Sequence, residues 1–437
     1  MTERQVSGES VRRKANRFAF FVLGMAILAG CAGSTAGPEA SHTPPRVRIG
    51  AEALADDDYA LLAGKRVGLI ANHTSMIDSV HLADRLHEAP GVTLAALFGP
   101  EHGLRGDAAA GEHVESGRDE RTGVPIYSLY GSRRKPSPEE MASIDVLVFD
   151  IQDVGARFYT YISTMGLAMQ AAAEAGVPFV VLDRPNPLGG EHVEGFVLDM
   201  AHTSFVGAYP IPVTHGLTVG ELARMIQGEG WVEGLESLVL HVVPMAGWTR
   251  GMLWSETGLS WRPTSPNIPD LETALVYPGT CFFEAVEASE GRGTREPFKM
   301  VGATWANGRR LADTLNALAI PGLHFDPAEF IPQPIAGMAT SPRFEGEAVR
   351  GVRLTVTDAH ALRPVAAGMH LVEAFYRMAP TAERASFLNA NWLSRLAGTT
   401  RLEAQLRAGE TADQIVASWK EDVAAFKVLR TPYLLYP

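Results

Sequence analysis

The sequence predicts an α/β protein whose N-terminal half is built on a Rossmann-like parallel sheet. Short apolar runs at 66–71, 92–98, 144–151 and 178–183 alternate with stretches of helical periodicity. The runs are apolar throughout instead of alternating with polar residues, as strands do when helices cover both faces of a sheet. Polar residues follow each run directly: Asn72 and His73, Glu101 and His102, Asp150 and Asp153, then Asp183 and Asn186. In an open parallel sheet those positions share the carboxyl edge, where ligands and chemistry are found.

The chain has 437 residues, enough for two domains with cores of their own. A net charge of -12 argues against general nucleic-acid binding, which needs a basic face. At the N-terminus, Arg12, Arg13, Lys14 and Arg17 precede an apolar run at 18–29. That run is too short to span a bilayer and suits the core of a signal peptide. It ends in Leu28-Ala29-Gly30-Cys31, which resembles the bacterial lipoprotein processing box. The resemblance implies cleavage before Cys31 and lipidation of its thiol. Ala32 in place of an Asp implies sorting to the outer membrane, so the body is expected at its periplasmic face. Residues 32–45, rich in Ser, Gly and Pro, read as a flexible tether. With Cys31 acylated, only Cys281 remains; its apolar surroundings predict a buried packing residue.

The body is expected to divide into a Rossmann-like domain at 46–234 and a second domain at 235–437, separated by the Gly-rich stretch 228–234. Helices are expected at 79–89 with Ser79 as cap, at 158–175 ending in Gly176, and at 219–227. The connections 99–123 and 184–216 are longer than a compact α/β unit needs and read as site-building. The second half is less regular. Strands are expected at 273–280 and 351–357, helices at 365–378 and 412–427, and an apolar tail, Tyr433 to Tyr436, docking on the body.

Glu101 is the leading acid/base candidate. It follows Gly99-Pro100 at a predicted strand end, between Phe98 and Leu104; the alternative is an ion pair with Arg105. Asp150 and Asp153 could divide acid and base roles, bind a hard cation or cap a turn. Glu290 precedes Gly291-Arg292-Gly293, where glycines let the backbone approach a ligand and free Arg292 to reach an anion. Aromatic side chains near these segments, including Tyr127, Tyr130, Tyr159, Tyr161, Trp254 and Trp261, suit either sugar stacking or core packing. No serine-hydrolase elbow, zincin motif, phosphate loop or Cys-x-x-Cys occurs. Histidines 73, 102, 113 and 215 lack a zinc-ligand spacing.

The blocks Phe98-Gly99-Pro100-Glu101-His102-Gly103, Phe149-Asp150-Ile151-Gln152-Asp153-Val154-Gly155-Ala156-Arg157, Asp183-Arg184-Pro185-Asn186-Pro187 and Ser289-Glu290-Gly291-Arg292-Gly293-Thr294 resemble the NamZ-like exo-β-N-acetylmuramidases. Pro263 to Pro269, Tyr277-Pro278-Gly279-Thr280 and the tail Tyr433-Leu434-Leu435-Tyr436 extend the resemblance over the whole body. It implies a second, mixed α/β domain, with the site in the cleft between the two. It also implies hydrolysis of non-reducing terminal N-acetylmuramic acid from peptidoglycan-derived muramyl saccharides, in cell-wall turnover, with no cofactor. Within it, Glu101 is the leading catalytic residue, and Asp150, Asp153 and Glu290 compete for the second role. Asn72, His73, His102, Tyr127, Asp183 and Asn186 are expected around the sugar. Because muramic acid carries a lactyl carboxylate, the pocket should also hold an arginine: Arg157, Arg184 or Arg292. The sugar's own acetamido group, a carboxylate ~5–5.5 Å from the acid, or a water-activating one ~6.5–9.5 Å away would each complete a mechanism. Two rival readings are a peptidoglycan-binding lipoprotein without turnover and a metal-dependent hydrolase using Asp150, Asp153 and His102.

Overall fold

The structure, a computed structural model, describes residues 46–105 and 117–437. The expected signal segment with Cys31, the tether, and residues 106–116 with His113 lie outside the described residues. The chain runs through β1 (Arg66–Ala71), a small hairpin of β2 (Met76–Ile77) and β3 (Val80–His81), then β4 (Thr93–Gly99), β5 (Gly117–Arg118) and β6 (Pro125–Ser128). It continues with β7 (Val146–Asp150), β8 (Phe179–Leu182) and β9 (Leu240–Val243). The large sheet has the order β5-β6-β4-β1-β7-β8-β9, and every neighbouring pair except β5–β6 is parallel.

Successive residues of a strand point to opposite faces, and both faces of this sheet are dry. Leu69, Leu97, Val148 and Leu182 join the helices Gly50–Asp56 and Leu82–Glu88 in one apolar cluster. Their neighbours Ile70, Phe98, Phe149 and Val181 face the helix Tyr161–Ala175 in another. That second cluster continues into Phe282, Phe298 and Leu371 of the C-terminal half, so the two halves share one core and one compact unit. Strand β9 lies beyond the boundary expected at 234 and adds to the N-terminal sheet.

The C-terminal half carries a separate antiparallel sheet of β10 (Met300–Ala303), β11 (Leu323–Phe330) and β12 (Val349–Val356), in the order β10-β12-β11. The helix Gly308–Ala317 packs on it, and the helix Pro364–Met378 packs on both that helix and Leu271–Thr280. The chain thus has the expected two-part α/β architecture.

Three local expectations fail for physical reasons. The predicted helix at 79–89 begins later, at Leu82, because the His81 ring and not Ser79 accepts from the Ala83 amide. The predicted strand at 273–280 is a helix, Leu271–Thr280, capped by Asp270. Its residues from Thr273 onward are buried, which erases the period that would have distinguished helix from strand. Gly279 lets it pack against Pro364–Met378: a Cβ there would lie 2.0 Å from the Pro364 carbonyl. The single C-terminal helix is two, Ala412–Ser418 and Lys420–Leu429, broken at buried Trp419, whose ring meets Phe196 edge-on.

Candidate active site

Strand β4 ends at Gly99, and the chain turns at once, with the Gly103 amide donating to the Pro100 carbonyl. The turn needs left-handed backbone at His102 (φ 70°) and Gly103 (φ 75°). A Cβ on Gly99 would sit 3.0 Å from the Leu104 amide, so glycine permits the tight fold-back. This turn holds Glu101 at the sheet's carboxyl edge, on the wall of a cavity of about 880 Å³. Two hydroxyls address its carboxylate. Thr160 Oγ1, just ahead of the helix Tyr161–Ala175, donates to Glu101 Oε2 at 2.9 Å. The Tyr130 hydroxyl, from the loop after β6, also hydrogen-bonds Glu101; burial first, then the charge of Glu101, pushes that phenol's pKa up. Arg105 pairs with Asp119 and Asp84, at 2.8 and 2.9 Å.

The C-terminal half supplies the other lining. Glu290, Arg292, Glu284 and Tyr277 reach the cavity, together with Met338 to Arg343. Gly291 and Gly293 both take positive φ (82° and 81°), and a Cβ on Gly291 would lie 2.5 Å from the Met300 carbonyl. Arg292 bridges two carboxylates, with Nη2 at 2.8 Å from Glu284 and Nε at 3.3 Å from Glu290. Its guanidinium lies 5.0 Å from the centre of the Phe298 ring. Burial raises the pKa of Glu290; Arg292 opposes that shift, and Glu284 adds to it. Tyr159 and Tyr161 also line the cavity, their hydroxyls bonded to Thr264 Oγ1 and the Thr264 carbonyl at 2.9 Å each. The loop that carries Thr264 is thereby fixed beside the start of the helix Tyr161–Ala175.

Of the residues expected at the site, Glu101, His102, Glu290 and Arg292 line this cavity. The others hold the fold. Asp150 is fully buried and bidentate with Arg184, at 2.6 and 2.8 Å, which accounts for both of its oxygens. Asp153 is buried beneath the edge, accepting from the Gly155 amide, and burial lifts its pKa to about 7. Arg157 is fully buried and donates to the carbonyls of Phe196, Ile211 and Leu396, so it ties the second long connection to a C-terminal helix. Asp183 accepts from Thr218, the Gly220 amide and Tyr436; the tail docks through that last bond. Asn186 donates to the Leu217 carbonyl, and Asn72 folds back on Thr74. His73 bonds the Pro263 carbonyl at 2.6 Å, and Tyr127 packs on Phe98. Asp150, Asp153, Asn72, His73, Tyr127, Arg157, Asp183, Arg184 and Asn186 therefore lie outside the cavity lining.

Several lining residues were not singled out from sequence: Thr160, Arg134, Phe205, Glu284, Trp392 and Arg395. Thr160 stands between Tyr159 and Tyr161, so its neighbours marked the place. Ser204, Phe205 and Val206 belong to the long connection expected to build the site. Nothing local marks Trp392 or Arg395, which the fold brings in from the helix Ala390–Ala397. Cys281 is buried, as expected. Among the described residues, no three His, Cys, Asp or Glu side chains are grouped so as to hold a metal ion.

An acid at a parallel-sheet edge, hydroxyls that orient it and a cleft of saccharide size lined by charged and aromatic side chains agree with the relatives of this chain. Residues 67–272 match the N-terminal model of the exo-β-N-acetylmuramidase NamZ, and residues 275–436 match its C-terminal model. The chain is 42% identical over 423 residues to the peptidoglycan β-N-acetylmuramidase NamZ of Bacillus subtilis (strain 168), covering 95% of this chain and 98% of that one. Two crystal structures of DUF1343 family proteins from Bacteroides fragilis NCTC 9343 superpose with TM-scores of 0.82 and 0.73, at 38% and 34% identity. Each comparison covers 90% of this chain and 99% of the other. The chain belongs to the NamZ family of exo-β-N-acetylmuramidases, a family of glycoside hydrolases.

Proposed function

We propose that this protein removes non-reducing terminal N-acetylmuramic acid from peptidoglycan fragments during cell-wall turnover, with Glu101 as the proton donor to the glycosidic oxygen. The observation that carries this reading is the setting of Glu101: a carboxyl held on the cavity wall by Thr160 and Tyr130. Glycoside cleavage needs an acid at the leaving oxygen, placed within hydrogen-bond reach by fixed neighbours. A volume of about 880 Å³ accommodates a terminal sugar and part of its acceptor. Trp392, half-buried on the cavity wall, is the aromatic side chain placed to pack on the sugar's C–H surfaces. Glu290, fixed by Arg292, is the partner carboxyl that orients the group attacking the anomeric carbon. Arg292 also fixes Glu284 as an acceptor for sugar hydroxyls.

The N-terminal sequence supports export and a lipid anchor at Cys31, with residues 32–45 as a spacer from the periplasmic face of the outer membrane. Cys31→Ser should leave the precursor uncleaved or the product soluble; unaltered membrane fractionation would refute the anchor.

The activity is tested by incubating the full-length protein in detergent with a chromogenic β-N-acetylmuramide and with the matching β-N-acetylglucosaminide. The expected result is release from the muramide alone. Release from neither substrate would refute the assignment.

A further inference from the structure

Four arginines line the cavity: Arg134, Arg292, Arg343 and Arg395. Two are engaged with carboxylates of the second half. Arg292 bridges Glu284 and Glu290, and Arg343 pairs with Glu287 at 3.1 Å while donating to the Glu284 carbonyl. Among the described residues, Arg134 and Arg395 have no carboxylate partner. The guanidinium of Arg134 lies 4.3 Å from the centre of the Phe205 ring, a placement that leaves its N–H edge available. It belongs to the same loop as Tyr130, whose phenol feels its charge and bonds Glu101. Arg395 lies on the helix Ala390–Ala397, three residues after Trp392 and therefore on the same helix face; both line the cavity.

These two arginines flank one stretch of wall. Ser204, Phe205 and Val206 line the cavity; Arg134 covers Phe205, and Gly207 packs close to the Arg395 carbonyl. Both side chains are exposed, so neither is held by the core. Two arginines without a carboxylate partner on one cavity wall offer a positive site to an anionic ligand. The cavity's own carboxylates are already committed: Glu101 to Thr160 and Tyr130, Glu284 and Glu290 to Arg292.

We infer that Arg134 and Arg395 form the subsite for the lactyl carboxylate of muramic acid, and that they are the residues that select it over N-acetylglucosamine. The inference rests on the muramidase reading of the same cavity and names other arginines than those expected from sequence. Arg157 and Arg184 are bound to the fold, and Arg292 positions glutamates. The selected feature is a free carboxylate, since an amide there offers neither the charge nor the second acceptor oxygen that a guanidinium fork matches.

The test compares kcat/KM for three chromogenic probes on the full-length protein in detergent: the β-N-acetylmuramide, its lactyl carboxamide and the β-N-acetylglucosaminide. The wild type should favour the carboxylate over the carboxamide by roughly 10- to 100-fold, the worth of a charge-assisted hydrogen bond in rate terms. Arg395→Met and Arg134→Met should each narrow that ratio by lowering the carboxylate rate more than the carboxamide rate; an effect of Arg134 through Tyr130 is common to both probes and cancels in the ratio. Arg395→Lys should restore part of it. The ratio of the two rates separates the roles, because a merely structural role would lower both together and leave it unchanged. Equal wild-type rates on carboxylate and carboxamide, or variants that keep the full preference, would overturn the inference while leaving the muramidase reading intact. Wild-type inactivity on the muramide would overturn both.

Discussion

Glu101 and Asp150 belong to the carboxyl ends of the two strands that flank β1 in one sheet, yet they meet opposite fates. Glu101 follows β4, lies on a cavity wall and is contacted by two neutral hydroxyls. Asp150 ends β7, is fully buried and has both oxygens on the guanidinium of Arg184. Asp183, after β8, is enclosed by donors from Thr218, Gly220 and the Tyr436 tail. Proximity to the carboxyl edge of a parallel sheet thus makes a carboxylate a candidate, and its partners decide its use. Hydroxyl donors hold Glu101 in place on the cavity wall, whereas the bidentate arginine takes up both oxygens of Asp150 below the edge.

The contrast is open to attack by substitution. Glu101→Gln should lower kcat on an unactivated muramyl disaccharide by about 10²- to 10⁴-fold, the usual contribution of a positioned general acid. Its thermal midpoint should stay at the wild-type value, and a large drop would move Glu101 into the structural group. Asp150→Asn should do the reverse. Leaving Arg184 buried without its anion is expected to cost about 3–5 kcal/mol in denaturant unfolding. Full stability in that variant would contradict the role given to the pair.

Asp153 sharpens the comparison through pH. Its pKa is raised by burial to about 7, above the ordinary carboxylate value of 3.8. The folded state then binds the proton more tightly than the unfolded chain, so stability falls as pH rises between those two values. Asp153→Asn mimics the protonated form and can still accept from the Gly155 amide. The variant should lack this slope and exceed the wild type above pH 7, by on the order of 4 kcal/mol. Parallel stability–pH curves for the two proteins would count against the assignment. The smallest effect is expected at the tail. Tyr436→Phe removes one of several donors to Asp183 and the acceptor for the Met245 amide, which should cost about 1–2 kcal/mol of unfolding free energy.

Much of this arrangement was legible in the residues. The four apolar runs became β1, β4, β7 and β8, and Glu101, Glu290 and Arg292 reached one cavity. What could not be read was which strand-end group would find a partner below the edge. Asp150 meets its arginine 34 positions later, and Arg157 meets a carbonyl 239 positions later. Those separations carry no local signal. The same limit hid Arg395, a surface-type residue on a short helix until the fold turns its face to the cleft. The helix Leu271–Thr280 was misread for a different reason: burial of every residue from Thr273 onward removes the polar alternation that reports periodicity.

The central claim, that Glu101 donates the proton to the leaving oxygen, is tested most directly by varying the leaving group. Wild type and Glu101→Gln would be compared on a β-N-acetylmuramide with a sugar leaving group and on one with a dinitrophenolate. The phenolate departs without a proton, so the substitution should be nearly silent on that substrate and severe on the sugar. An equal loss on both substrates would contradict the account.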